Sequence, residues 1–577
     1  MDLELCAMGD VTMSERVIPG AAEIPPLRSG PRGLFGWLPL SVVLPSAAAA
    51  AVAGTVTIAF RGSLWVALGV GLGIAAVGGI RLQKTNIWRI LAMRSALGWR
   101  NWRGTGIRPY DEPFEVPVPE SGGARCGMRW DGRHLITMLR VDRTDVTPTL
   151  LRSTEIRSDA AVSLAEVARC VSQFDIRLAA VDVVTFGVRT RGPREVVRLY
   201  EQLLGPLPAA AARTVWLVLR FDPLDNAEAI DNRGGGQDGM IRTALVATRR
   251  VAGRLATRGI RISMLTAAEL AAAEAATLHD TDPRDWAEGW RALRGNDIRL
   301  AGYTVRPERL DPDALAAVWA LPGVATLTRL RMTPAIGSNT PTRQTDTVAL
   351  TALVRHDTDD EEPECDRTPA GLGLRPLSGS QRRILMDGGH PGPSAAAHGV
   401  PAAMARFLVP TGGCGQVIGA TSDGFGVAVP LFGPAVRRVE IVGGLRLVQL
   451  MILRAIAVGA RVIVHSTRPQ VWDRLVREVD EPEALSVSSQ GGAQHTAAAT
   501  MIVYDGVAST GQVSEATAVH FGSMAQTSAA ILAADVVLIE SPDDPGEVLI
   551  RTAGGEVTVQ LVWIPEESRY LGVADPA

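Results

Sequence analysis

From Trp37 to Ile80 the chain carries an almost unbroken series of apolar side chains, and Arg61 is the only formal charge among them. The stretch divides into Trp37–Phe60 and Leu64–Ile80, 24 and 17 residues long. A helix needs ~20 apolar residues to span a hydrocarbon core, with ~17 as the lower end. The pattern therefore predicts a two-helix transmembrane hairpin. Pro39 and Pro45 fall in its first half, where a membrane helix tolerates a kink if the freed carbonyls find partners. A secretory signal peptide fits poorly. It has one apolar run of about 7–15 residues near the N-terminus, whereas here the first of two runs begins after 36 residues.

Downstream the apolar spacing alternates between period two and period 3.6. Strands are predicted at Gly132–Val141, Arg177–Gly187, Arg213–Phe221, Ile260–Leu265, Val324–Met332 and Thr345–Val354. Helices are predicted at Leu164–Phe174, Arg194–Leu204 (opened by Pro193), Gln237–Thr257 (ending near Gly259), Ala267–Ala276 and Leu310–Val318. Further on, Gln416–Thr421 and Gly426–Leu431 suit a hairpin. Leu445–Val458 suits a helix capped by Gly459, Arg461–His465 a strand and Pro469–Glu478 a helix. Met501–Tyr504, Ala518–Phe521, Val536–Glu540, Leu549–Thr552 and Val557–Trp563 complete the strands. Strands separated by helices imply α/β domains with helices packed on sheets.

The fold expected is thus α/β: an N-terminal two-helix transmembrane hairpin followed by two cytoplasmic α/β domains with mixed sheets. Residues 1–36 form a disordered or interfacial cytoplasmic tail, and 37–80 the hairpin (37–60 and 64–80). Residues 81–123 form a basic, Trp-containing juxtamembrane segment and a Pro-rich connector. The first domain is 124–355, an acidic, flexible linker is 356–401, and the second domain is 402–577. Trp88, Trp99 and Trp102 suit the membrane interface, with the neighbouring arginines over anionic headgroups; packing on a partner subunit is the alternative.

Charge supplies orientation. Arg16, Arg28 and Arg32 precede the hairpin, and Arg81, Lys84, Arg89, Arg94, Arg100 and Arg103 follow it. Positive flanks stay cytoplasmic, so both termini are expected in the cytoplasm, with two spans through the plasma membrane. A formal net charge of -3 leaves no whole-protein footprint for nucleic acid. Lys84 is the only lysine. The five cysteines (Cys6, Cys126, Cys170, Cys365, Cys414) form no CxxC pair, so neither disulfides nor a thiolate metal site is expected.

Candidate chemistry is sparse. Phe221–Gly239 leaves a strong strand, enters the longest helix and carries Asp222, Asp225, Asp231, Asp238 and Gly234–Gly236. Three readings compete. Asp222 and Asp225 hold a divalent cation; the glycines wrap a phosphate at the helix N-terminus; or the segment is a structural loop with capping aspartates and turning glycines. No GxxxxGK[ST] or GxGxxG motif is present, and the only lysine lies at the membrane, which favours the structural loop. Val439–Ser466 has the strand, glycine turn, helix and strand outline of a nucleotide-binding core, but its turn, Ile441–Gly444, lacks the phosphate-loop lysine. Asp535 and Glu540 bracket a strand that loosely fits a magnesium-holding acid. His465 with Ser466, and His520 with Ser523, lack a GxSxG elbow. His390 reads as a solvated loop histidine.

Several stretches carry a family resemblance. They are the two adjacent spans with a basic, Trp-containing exit (Leu82–Trp102); RSTEIRSDAAVSLAEVARCVSQFDIRLAAVDVVTFGVRTRG (Arg152–Gly192); VWLVLRFDP; and NRGGGQDGMIRTALVATRRVAGRLATRGIRISMLTAAEL (Asn232–Leu270). They resemble the EccE component of the type VII (ESX) secretion machinery of mycobacteria and related actinobacteria, over about Leu34–Val354. GCGQVIGATSDGFGVAVPL (Gly413–Leu431) is similar to what longer members carry. The resemblance implies a non-catalytic structural membrane subunit of a hexameric inner-membrane complex. It would sit at the periphery beside EccB, EccC and EccD subunits, with the EccC ATPase driving transport. It implies no catalytic, cofactor-binding or metal residues, so the expectation is a subunit that is not an enzyme. The alternative is a membrane-tethered enzyme or nucleotide-binding regulator using the acidic loop around Asp222 and Asp225.

Overall fold

The computed structural model describes residues 28–29, 40–59, 63–79, 81–82, 85–103, 111–119, 122–142, 145–158, 160–335, 347–359, 372–386, 388, 396–488, 499–508, 515–522 and 533–571. The two apolar runs form the paired helices α1 (Leu40–Ala59) and α2 (Leu64–Gly79). Gly71 faces Ala50 across the pair: a Cβ added there would lie 3.6 Å from the Ala50 carbonyl oxygen, an ordinary van der Waals distance. The hydroxyls of Thr55 and Thr57 donate to the carbonyls of Ala51 and Ala53, so these polar groups are satisfied within the helix. The outward side chains Val52, Ile58, Trp65 and Leu72 are exposed. Among the described residues no helix is long and apolar enough to cross a membrane. Of the tail, Arg28–Ser29 forms a short strand against Ala397–His398, and the remainder lies outside the described residues, as does His390.

The first sheet is 14-stranded, and its described pairings are antiparallel. At its centre Val348–Asp359, Ala325–Pro334, Ala180–Val188, Ala212–Phe221 and Leu135–Val141 lie side by side. The pleat sends alternate residues to opposite faces. Val181, Val183, Leu217, Leu219, Leu330 and Met332 point to the face covered by the long helix Gly236–Ala256. Val184, Trp216, Leu327 and Leu353 point to the other, roofed by the helices Ala267–Thr277 and Gln381–Leu385. The roof helix Ala267–Thr277 starts at a capping box, Thr266 with Glu269. The connector contributes the edge strand Phe114–Pro117.

The second sheet is 12-stranded and mixed. Six strands, Leu485–Ser488, Val462–Ser466, Met501–Asp505, Thr517–Gly522, Arg438–Val442 and Val536–Glu540, run parallel in that spatial order. Antiparallel strands from Glu547–Thr552 onward extend it. The helix Leu445–Ala457 is buried from Leu447 to its end. On it, Arg454 is clamped by both oxygens of Glu567, at 3.0 and 3.1 Å, and by the carbonyls of Val417 and Ile418.

The two halves interlock. The helix Arg194–Leu204 interrupts the first sheet in sequence, yet it buries Val196, Leu199, Tyr200 and Leu204 in the second core. Tyr200 Oη accepts the Val417 N–H at 2.8 Å, and the Arg191 N–H donates to the Ala457 carbonyl at 3.0 Å. The strand Thr149–Arg152 pairs with Gly426–Val429 in the second sheet. The cores therefore do not divide along the predicted limits 124–355 and 402–577. The predicted linker 356–401 is also partly structured. The strand Val348–Asp359 runs through its start, and Leu374–Pro376, Gln381–Leu385 and Ala397–Gly399 pack on the first sheet. The physical reason is charge pairing. Asp357, the first acid of that run, is buried with Arg355 Nε at 2.8 Å and His279 Nε2 at 2.9 Å, so the acidic run begins inside the fold.

The predicted helix Leu164–Phe174 stops at Ala168. Phe174 fits the helical spacing, but it is 101% exposed at a φ of 53°, turning a two-residue hairpin.

Gly192 sets the spacing of the halves: a Cβ there would lie 2.2 Å from the Ile456 carbonyl oxygen. Gly192→Ala is expected to destabilise the chain by about 1–3 kcal/mol, the usual cost of overpacking. Gly522→Ala, which meets nothing within 4 Å, is expected to be near neutral. Thermal unfolding of the detergent-solubilised chain compares them; equal midpoints would remove Gly192 from the interlock.

Candidate functional site

The acidic segment after the strand Ala212–Phe221 does not gather its aspartates. Asp222 is buried, with Oδ2 accepting from Arg133 Nε at 2.7 Å and Oδ1 from the Leu224 N–H at 2.9 Å. Its backbone carbonyl accepts from Asn226 Nδ2 at 2.8 Å. Asp225, Asp231 and Asp238 are exposed. Among the described residues no three His, Cys, Asp or Glu side chains converge as metal ligands would. Gly234, Gly235 and Gly236 take φ of +104°, +67° and +59°, a left-handed run that only glycine adopts readily. Gly235 itself is the N-cap of the long helix, with no side-chain cap. The glycines thus turn the chain as the structural-loop reading expects, while the capping role given there to the aspartates is not seen.

Near Asp222 lies a chain of charged groups that periodicity did not reveal, with His134 Nε2 3.9 Å from Asp222 Oδ2. Asp182 takes a bidentate grip from Arg331, at 2.6 and 2.7 Å, and a longer bond from Arg220 Nε at 3.4 Å. Arg220 also donates to Asp131, which accepts the His134 N–H at 2.7 Å. Burial disfavours ionised Asp182, but the charges of Arg331 and Arg220 outweigh it and hold the carboxyl well below the usual carboxylate range. Asp131 is depressed in the same way, with desolvation opposed by bonds from His134 and by the Arg220 charge. The one sequence signal was a lone Asp182 inside an apolar strand, with Arg220 and Arg331 breaking the pattern of the neighbouring strands.

Beside this chain lies a cavity of about 70 Å³, lined by Arg129, Asp182, Arg220, Glu274 and Arg355 among others. A water takes ~30 Å³ of liquid, and small-molecule sites run to ~300–1,000 Å³. The cavity suits water rather than a nucleotide. Among the described residues, a cleft of about 260 Å³ at Arg169, Arg254, Pro334 and Val348 is lined by no carboxylate, histidine or thiol. Burial pushes the Cys126 and Cys170 thiols up to about 11, away from reactive thiolate.

In the second sheet the strand Arg438–Val442 enters the helix Leu445–Ala457 through Gly443 and Gly444, as outlined from the sequence. A phosphate would sit at such a helix N-terminus. Here Glu540 occupies it. Its Oε2 accepts the Gly444 N–H at 2.6 Å, and a Cβ at Gly443 would lie 2.7 Å from the same oxygen. Asp505, at the end of the strand Met501–Asp505, accepts from Ser466 Oγ at 2.6 Å, Trp472 Nε1 at 3.0 Å and Arg468 Nη2 at 3.2 Å. Asp535 accepts the N–H groups of Arg437 and Arg438 at 2.6 and 2.9 Å. Ser466 is thus bonded to Asp505 and not to His465, whose ring lies 5.8 Å from Tyr504. Ser523 lies outside the described residues.

Removing one partner of a buried ion pair costs about 3–5 kcal/mol, so Asp182→Ala is expected to lose that much. Asp222→Ala is expected to lose about 1–2 kcal/mol, because Arg133 is two-thirds exposed. Denaturant midpoints of the two variants check the order. The depressed carboxyls also fix a pH dependence. Their stabilisation is present above the unfolded aspartate value of ~3.9 and is lost as pH falls from there toward the folded values. The melting temperature should therefore fall on acidification below about pH 4, and Asp182→Asn should flatten that fall. An unchanged slope would contradict the assignment.

Residues 209–305 match the model of the family described as "type VII ESX secretion system translocon, EccE". The segment runs from the strand Ala212–Phe221 through the long helix and the roof helix to the strand Ile298–Val305. The chain is 26% identical over 411 residues to the ESX-1 secretion system protein EccE1 of Mycolicibacterium smegmatis, covering 69% of this chain and 76% of the relative. It is 28% identical over 340 residues to the ESX-5 secretion system protein EccE5 of Mycobacterium marinum, covering 56% and 79%. It is 26% identical over 431 residues to the ESX-2 secretion system protein EccE2 of Mycobacterium tuberculosis, covering 73% and 75%. Together with the stretches that resemble it in sequence, these matches show that the chain is similar to the EccE family of type VII (ESX) secretion system components.

Proposed function

We propose that this chain is a non-catalytic structural subunit of an ESX membrane complex, contributing to the assembly or stability of the translocon. The hairpin 37–80 anchors it in the plasma membrane with two spans and both termini cytoplasmic. EccB-, EccC- and EccD-like subunits are its partners. The observation that carries this reading is the state of the carboxylates that the sequence offered for chemistry. Asp222 and Glu540 are both held by protein donors, and Glu540 stands where a phosphate would bind. The exposed apolar faces of α1 and α2, with Arg61 as the only charge between Trp37 and Ile80, support the anchor. Positive charge on both flanks supports the orientation.

Affinity purification of the detergent-solubilised chain from its native membrane tests the reading. Recovery with the other ESX membrane subunits is expected; recovery alone contradicts it. The nucleotide alternative is tested by melting the purified chain with and without magnesium ATP. A ligand at 100-fold its Kd stabilises by about 2.7 kcal/mol; no shift is expected, and a clear rise would restore that alternative.

A further inference from the structure

The helix α3 (Ile87–Arg103) follows α2 after seven residues and touches both α1 and α2. One of its faces is committed to the first sheet. Leu97 is buried, and Arg100 Nη2 donates to Glu288 Oε2 at 3.1 Å. Asn101 Nδ2 donates to the Glu288 carbonyl at 3.1 Å, and the Arg94 guanidinium lies 5.1 Å over the Trp290 ring. Glu288 is itself anchored: its side chain is 1% exposed, and Oε1 accepts the Arg382 N–H at 3.1 Å. The position of α3 on the globular body is therefore fixed by a buried carboxylate.

The opposite face has another character. Leu91, Ser95, Trp99 and Trp102 follow one another at intervals of four, four and three, which aligns them in one stripe. Leu91, Trp99 and Trp102 are 49%, 53% and 76% exposed. The two indoles lie 5.4 Å apart, and the Arg103 guanidinium sits 4.3 Å over Trp99. Residues 81–103 hold six cationic side chains and no carboxylate.

We propose that this stripe is a lipid-binding surface. α3 lies in the headgroup layer of an anionic leaflet, with Leu91, Trp99 and Trp102 toward the acyl boundary and Arg103 beside the phosphates. The proposal rests on the membrane anchor proposed above. Three features select lipid as the occupant. The stripe continues directly from the anchor, its charge complements anionic phosphate, and exposed tryptophan beside arginine is the composition that settles at headgroup level. The sequence offered Trp88, Trp99 and Trp102 together with all the arginines. Among the side chains described on α3, the structure leaves Trp99, Trp102 and Arg103 to the stripe, because Arg94 and Arg100 are engaged by Trp290 and Glu288. Since Glu288 fixes the other face, lipid contact along the stripe sets how the first sheet stands over the membrane.

The test uses the full chain reconstituted into vesicles of brominated phosphatidylglycerol or brominated phosphatidylcholine, and reads quenching of tryptophan fluorescence. The double variant W99F/W102F is compared with the parent; both positions are exposed, so folding is not at stake. Trp65 on α2 is common to both proteins. The expected result is extra quenching of the parent, larger in phosphatidylglycerol, that the double variant loses. Equal quenching of parent and variant, in protein that floats with the vesicles, overturns the lipid surface and leaves the anchor standing. Failure of the parent to float overturns the anchor and this proposal with it. Trp99 and Trp102 unquenched in vesicles, but shielded from acrylamide in the purified complex, would assign the stripe to a protein partner and overturn the lipid assignment.

Discussion

The structure depends on one shared burial. The helix Arg194–Leu204 leaves the first sheet, places Leu199 and Tyr200 beside the helix Leu445–Ala457, and returns as the strand Ala212–Phe221. Both sheets therefore need each other's residues to complete a core. The contact is close because glycine permits it on both sides: Gly192 against Ile456, and Gly413 against Ala211. Apolar burial of this kind is non-directional. The bond from the Val417 N–H to Tyr200 Oη and that from the Cys414 N–H to the Ala210 carbonyl fix its register.

This interlock bears on function because it joins the family-matched segment, 209–305, to the C-terminal half. Through Glu288 the same segment holds α3, and α3 touches the paired apolar helices. A continuous set of packed elements thus runs from the hairpin to the second sheet. Charge inside this body is spent on shape. Asp182, Asp357 and Glu567 each sit with a buried arginine. None is free to serve as an acid or base toward a substrate. Such a body, attached to an apolar hairpin, is in keeping with the structural role proposed above.

Much of this architecture was legible in the sequence, because period-two and period-3.6 patterns survive wherever one face is buried. The strands Arg213–Phe221 and Val536–Glu540 and the helices at 194–204, 236–256 and 445–457 were located within a residue or two. The long-range assembly was not legible. Nothing local says that Thr149–Arg152 pairs with Gly426–Val429, since pairing partners are chosen by tertiary packing. The acidic start of 356–401 misled because a pattern reading takes charge as solvation, whereas Arg355 and His279 neutralise Asp357 inside. In the candidate site, Asp222 and the Gly443–Gly444 turn were visible as motifs. Their engagement by Arg133 and Glu540 was not, because each partner lies about 90 residues or more away in sequence.

The central claim is that the chain acts through its fold and its attachments and not through chemistry at its carboxylates. The most direct measurement is export of secreted substrate in cells whose only copy of this protein carries D222N, D225N and E540Q together, changes that keep side-chain size. The account predicts export at the parental level with the complex assembled in parental amount. Loss of export from a complex that assembles normally would contradict it.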